Sequence, residues 1–173
     1  MAEASGSQVA KRIEMAANVA IILASAAVII VFVRNFTRTS TDALPIIATG
    51  TKFALKDAHW RSGEKTLVLA ISTTCHFCNE SAPFYDELVS QCKQQHVRTI
   101  AVLPQPTVEA ESYLKHKGIA VDEVRQATLS GLRINGTPTL LLVDGGGIVR
   151  SVWIGKLDSS GEKEVLAKLS RLE

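Results

Sequence analysis

Residues 66–78 read TLVLAISTTCHFC, and the fold turns on how this stretch divides. Its first seven residues, TLVLAIS, form a short apolar run entered through the charged, glycine-containing turn Ser62-Gly63-Glu64-Lys65. A run of that length and composition predicts a buried β-strand. Beyond it, residues 79–91 carry Ala82, Tyr85, Leu88 and Val89 at helical spacing, which predicts an amphipathic helix. Cys75-His76-Phe77-Cys78 therefore falls where a strand ends and a helix starts. The free N–H groups and the dipole of a helix N-terminus place partial positive charge there. Such an environment favours the thiolate, which is the reactive form of cysteine, and first cysteines in such pairs have pKa values of roughly 3.5–7.5. A spacing of three brings Cys78 within reach of the Cys75 sulfur. This reading makes Cys75 a nucleophile and Cys78 its resolving partner, with His76, when protonated, adding to the stabilisation of Cys75.

Outward from this stretch the pattern keeps alternating. Residues 97–103 (VRTIAVL) predict a second buried strand, and residues 108–117 a helix that stops at Gly118, a suitable C-terminal cap. Residues 139–143 (TLLLV) predict a strand, Asp144-Gly145-Gly146-Gly147 a tight turn, and residues 148–154 the returning hairpin partner. Residues 161–172 predict a closing helix with Val165, Leu166 and Leu169 on one face. The order β-α-β-α followed by β-β-α predicts an α/β sheet with helices on both faces.

The 173 residues carry a formal net charge of only +2, with no basic stripe or aromatic-interleaved patch to suggest nucleic acid. Three cysteines, two of them in one Cys-x-x-Cys, are too few for a disulfide framework. Zinc usually takes four ligands, and Cys92, His96 and His116 supply no second pair. Haem attachment requires His after the second cysteine, where this chain has Asn79. No metal or cofactor is expected. Cys92 is expected to be a small buried hydrophobe, and Trp60 and Trp153 to pack rather than react.

Residues 16–33 (AANVAIILASAAVIIVFV) contain no charge. Eighteen helical residues extend ~27 Å, close to the ~30 Å hydrocarbon core of a bilayer. A core helix of a soluble protein would show a polar face, and this run has none. A cleaved signal peptide would end at a small-x-small site, whereas here the small residues lie mid-run and VIIVFV follows them. The expected organisation is a cytoplasmic lead over residues 1–15, a transmembrane anchor over 16–33, a Thr- and Ser-rich linker over 34–45 and a globular domain over 46–173. Lys11 and Arg12 before the span balance Arg34 and Arg38 after it. The orientation is therefore taken from the chemistry: a disulfide-handling domain suits the oxidising, extracytoplasmic (periplasmic) side.

From about Gly50 onward the chain resembles the thioredoxin superfamily. The closest similarity is to membrane-anchored, extracytoplasmic thioredoxin-like proteins of the cytochrome-maturation and redoxin type. The resemblance rests on the ordered set FALKDAHWRSGEKTLVLAIS, CHFC, Pro83 five residues after Cys78, Gly136-Thr137-Pro138-Thr139, the LLLVDGGGIV hairpin and Gly155. It implies a mixed thioredoxin-like sheet flanked by helices and a kink in the Cys-bearing helix at Pro83. It also implies a cis Thr137–Pro138 bond facing the dithiol, with the adjoining backbone pairing with substrate. The implied activity is thiol–disulfide exchange with extracytoplasmic proteins and a membrane or extracytoplasmic redox partner, in which His76 and Phe77 help to set the potential. The chain departs from the pattern at Thr74, where the family often has Trp. It departs again at Leu69, where thioredoxins bury an acid, and at Ser81, where reductive cytochrome-maturation members carry Glu; here Glu80 is adjacent. A thioredoxin-fold peroxidase is an alternative, but Val68 and Ser72 stand where its Pro and Thr belong. A copper-binding chaperone usually spaces its cysteines by three residues, and a non-catalytic anchored module would lose nothing on Cys75→Ser.

Overall fold

Five strands form one mixed sheet in the order β3-β2-β1-β4-β5. The computed structural model describes residue 15, residues 18–31 and residues 46–171. The chain separates into two units, Met1–Ala43 and Leu44–Glu173. In the first, residues 18–31 are helical (α1) and their side chains are exposed, from Val19 at 51% to Val28 at 68%. Among the described residues no helix is long and apolar enough to cross a membrane. The ends of the expected anchor, the expected linker and nearly all of the expected lead lie outside the described residues.

The second unit begins its regular structure at β1 (Thr66–Ala70), every residue of which is buried. Two short helices follow, α2 (His76–Glu80) and α3 (Ala82–Gln94), then β2 (Arg98–Leu103), α4 (Thr107–His116) and β3 (Glu123–Gln126). A 3-10 turn at Ser130–Leu132 leads to β4 (Thr139–Val143), β5 (Val149–Ile154) and α5 (Ser159–Arg171). Strands β1, β2 and β3 are mutually parallel; β4 runs antiparallel to β1, and β5 to β4. Strand β3 is not apparent in the sequence. It is four residues long, lies at the sheet edge and carries Glu123 and Arg125, so it has no apolar run to announce it.

Alternation along β1 splits the core in two. Leu67, Leu69 and Ile71 face a cluster containing Cys78, Leu88, Cys92, Leu114, Val165 and Leu169. Val68 and Ala70 face a second cluster with Ile47, Phe53, Leu55, Leu132 and Ile134. All four helices of the domain thus pack on one face, and the expectation of helices on both is corrected. The steps from β1 to β2 and from β2 to β3 advance in the same direction, so connections of one hand put α3 and α4 on the same side. The opposite face is covered by the segment leading to β1 and by the 3-10 turn.

The hairpin turn shows why glycines fill it. A Cβ at Gly145 would lie 2.2 Å from the Arg61 carbonyl oxygen, and Gly147 has φ +77° with the Trp60 ring against it. Asp144 Oδ1 accepts hydrogen bonds from the Gly146 and Ile148 N–H groups, both at 2.9 Å.

Cys92 is fully buried on α3. Burial, with the charge of Asp122 second, pushes its thiol up to about 12. A pKa raised on folding gives stability that is complete below the unfolded value near 8.5 and is lost as pH rises towards the folded one. In the reduced protein, Cys92 is therefore expected to account for roughly 2 kcal/mol of the stability lost between pH 8 and pH 10. Urea unfolding at both values should give a smaller loss for Cys92→Ala than for the parent. Equal losses would mean that Cys92 ionises in the folded chain.

Candidate functional site

The antiparallel register of β1 on β4 builds the site. Ala70, at the end of β1, faces Thr139, at the start of β4. The loop that follows β1 and the loop that precedes β4 therefore emerge at the same end of the sheet. The first carries Cys75 and the second carries Thr137 and Pro138. The Thr137–Pro138 peptide bond is cis, as the resemblance implied. The Pro138 carbonyl accepts a hydrogen bond from Gly155 N–H at 2.7 Å, which fixes this loop to the end of β5.

Cys75 is the N-cap of α2, with φ −81° and ψ 118°. Its sulfur takes the place of the oxygen acceptor usual at this position and receives the Cys78 N–H at 3.1 Å. The thiol in turn donates to the Thr137 carbonyl oxygen at 3.4 Å. The Cys75 carbonyl accepts the Asn79 N–H and also the Asn79 side-chain amide at 3.0 Å, so the first turn is closed on both sides. The helix breaks at Ser81, and Pro83 sits in the first turn of α3. The expected kink is real: lacking an N–H, Pro83 cannot continue the hydrogen-bond ladder.

The two thiols differ sharply. Cys75 is half-buried and Cys78 fully buried. Burial opposes ionisation of Cys75, but hydrogen bonds from the Cys78 and Thr137 side chains and from the Cys78 and Phe77 N–H groups outweigh it, and the thiol lies below its ordinary value. Burial, the hydrogen bond to Cys75 and the charge on Cys75 push Cys78 up to about 12. This asymmetry suits attack by Cys75 on a disulfide, followed by attack of Cys78 on Cys75.

The other expected site residues are close by. Phe77 contributes its backbone N–H, while its ring is 53% exposed beside the dithiol. The His76 ring pairs with Glu80, Nε2 to Oε1 3.0 Å, and Glu80 reaches Lys156 at 2.8 Å. Lys156 follows Gly155, so this chain ties α2 to the loop that holds Pro138. Leu69 lies in the same cluster as Cys78, so the position at which thioredoxins bury an acid is filled here by an aliphatic side chain.

Two further features of the site are not apparent from its motifs. One is a polar rim: Gln105 Nε2 donates to Ser72 Oγ at 2.9 Å, Ser72 Oγ lies 3.1 Å from Thr74 Oγ1, and Thr73 Oγ1 donates to Glu109 Oε1 at 2.8 Å. The other is Tyr113 on α4, whose spacing from Ala110 and Leu114 places it on the buried face of its helix and was the available clue. Among the described residues no group of three or more His, Cys, Asp or Glu side chains is arranged to hold a metal ion.

The fold is thioredoxin-like. The chain is similar to the thioredoxin domain of a thiol-disulfide oxidoreductase from Bacteroides vulgatus, with TM-score 0.56 and 17% identity over 70% of this chain and 97% of that one. It is also similar to a thiol-disulfide isomerase from Corynebacterium glutamicum (TM-score 0.54, 18% identity, 75% and 95% covered). A secreted Mycobacterium tuberculosis disulfide oxidoreductase homologous to E. coli DsbE matches with TM-score 0.52 and 15% identity over 76% of this chain and 99% of that one. No protein-family model matches the sequence, and no curated protein matches it.

Proposed function

We propose that the chain is a thiol–disulfide oxidoreductase that exchanges disulfides with extracytoplasmic proteins, with Cys75 as nucleophile and Cys78 as resolving thiol. The observation that carries this reading is the opposed pair of thiols: a half-buried, hydrogen-bonded Cys75 with a lowered pKa, capping a helix above a buried Cys78 with a raised one. The surroundings support it. Thr137 presents its backbone 3.4 Å from the Cys75 sulfur, and Phe77 offers an exposed apolar surface for a substrate chain. Solved proteins of this fold include a thiol-disulfide isomerase and two disulfide oxidoreductases, one of them secreted.

The same reading places residues 16–33 in the cytoplasmic membrane, with the domain on the extracytoplasmic side and a membrane or extracytoplasmic redox partner recycling the dithiol. The described part of that segment supports an apolar surrounding. Its apolar side chains are exposed, and the Ser25 hydroxyl satisfies itself by donating to the Ile21 carbonyl at 2.8 Å. A self-satisfied polar group is what a lipid environment demands. The direction of electron flow follows from the potential. Equilibration of the dithiol with glutathione should give a single two-electron couple, about −270 mV for a reductant or about −120 mV for an oxidant. A dithiol that forms no Cys75–Cys78 disulfide at any glutathione ratio would refute the proposal.

A further inference from the structure

Resolution of a mixed disulfide requires charge on Cys78, yet the structure holds this thiol in a fully buried site. The strand beneath it offers Leu69 rather than an acid. Tyr113, reaching in from α4, packs against the cluster that contains Cys78, as Cys75 does. Its hydroxyl oxygen is shielded from solvent and has no hydrogen-bond partner among the described residues. A buried polar group left unsatisfied costs about 1–3 kcal/mol, so one packed against the cluster that holds Cys78 calls for a role. We propose that Tyr113 is a positioning residue for the dithiol, whose hydroxyl donates a hydrogen bond to the Cys78 sulfur when that sulfur carries negative charge.

Resting on the functional reading above, the step runs as follows. Cys75 is joined to a substrate sulfur. The Cys78 thiol gives its proton to water, and the thiolate, held by the Tyr113 O–H, attacks the Cys75 sulfur. The Cys75–Cys78 bond forms and the Cys75–substrate bond breaks. The electron pair leaves on the substrate sulfur, which solvent protonates. The substrate disulfide is thereby reduced by two electrons and the dithiol oxidised. The phenol is suited to donate and not to ionise: burial first, then the charges of Cys78 and Cys75, push it up to about 12. The other titratable groups bearing on this pocket are Cys75 from the α2 cap and Tyr85 from α3. On the outer side of Tyr113, Glu109 and His116 line the same groove, and Lys117 Nζ lies 5.9 Å from the ring centroid.

The test is Tyr113→Phe in the full-length chain, reduced and mixed with one equivalent of dithionitrobenzoate in stopped flow. The first thionitrobenzoate released reports attack by Cys75, and the second reports resolution by Cys78. The variant should keep the first phase and slow the second about tenfold at pH 7, the effect of losing a hydrogen bond to a charged group. The pH midpoint of the second phase should rise by about one unit. Its melting temperature should equal or exceed that of the parent, because an unsatisfied hydroxyl has been removed. A second phase within twofold of the parent with the same midpoint would overturn the inference alone, and a lowered melting temperature would reassign the hydroxyl to stability. Failure of the first phase in the parent would overturn the functional reading with it.

Discussion

Cys78→Ser is expected to convert the protein into a trap, as follows from the proposed roles of the two thiols. Cys75 still attacks substrate disulfides, the mixed disulfide cannot be resolved, and covalent complexes accumulate that reducing agent dissolves. Cys75→Ser accumulates few such complexes and brings turnover down to the uncatalysed rate. The difference follows from the geometry. Only the Cys75 sulfur combines partial exposure with the Cys78 N–H at 3.1 Å and a lowered pKa. The Cys78 sulfur lies a turn deeper with none of its residue surface exposed. The leaving-group logic agrees, since the thiol with the lower pKa attacks first and also leaves faster. Cys92→Ser should keep turnover within a few-fold, because Cys92 is buried on α3. Non-reducing gels of cells expressing each variant read this directly. Equal trapping by both single variants would remove the assignment of roles.

If the proposed anchor holds, removal of residues 1–43 should move the protein from the membrane to the soluble fraction and leave disulfide exchange intact. The strands, the dithiol and Pro138 all belong to the unit Leu44–Glu173, and the described residues of its two core clusters run from Ile47 onward. Residues 16–33 are free of charge, and the proposed anchor rests on that uncharged run. Carbonate extraction of the full-length chain should leave it in the pellet, and the truncated chain should be found in the supernatant. A full-length chain released by carbonate would contradict the anchor. On intact cells, an impermeant thiol reagent should label Cys75; protection until the membrane is opened would reverse the orientation.

The sequence carried the centre of the domain better than its edges. Residues 139–143 form a strand with the bounds that their apolar run implies, and the glycine-rich turn after them is confirmed. Gly118, with φ +77°, ends α4 as a left-handed residue should. The helix after the dithiol is split, because Ser81 and Pro83 interrupt a pattern whose apolar spacing alone reads as continuous. Strand β3 was hidden because Glu123-Val124-Arg125-Gln126 pairs only on one side, through backbone groups. The cis bond at Pro138 came from resemblance and not from composition. The clamp from His76 through Glu80 to Lys156 joins residues 76 positions apart, from Glu80 to Lys156, a separation no local pattern encodes. The Tyr113 hydroxyl is similar: helical phase placed the residue inside, but only the packed structure shows its oxygen without a partner.

The central claim is that the fold makes Cys75, alone of the three cysteines, a reactive thiol. Alkylation of the reduced protein by iodoacetamide from pH 5 to pH 9, with each cysteine followed by mass spectrometry, tests it most directly. Cys75 should react first at every pH and remain reactive below the ordinary thiol range, while Cys78 and Cys92 stay protected until the chain is unfolded. Alkylation of Cys78 or Cys92 ahead of Cys75 at pH 6 would contradict the account.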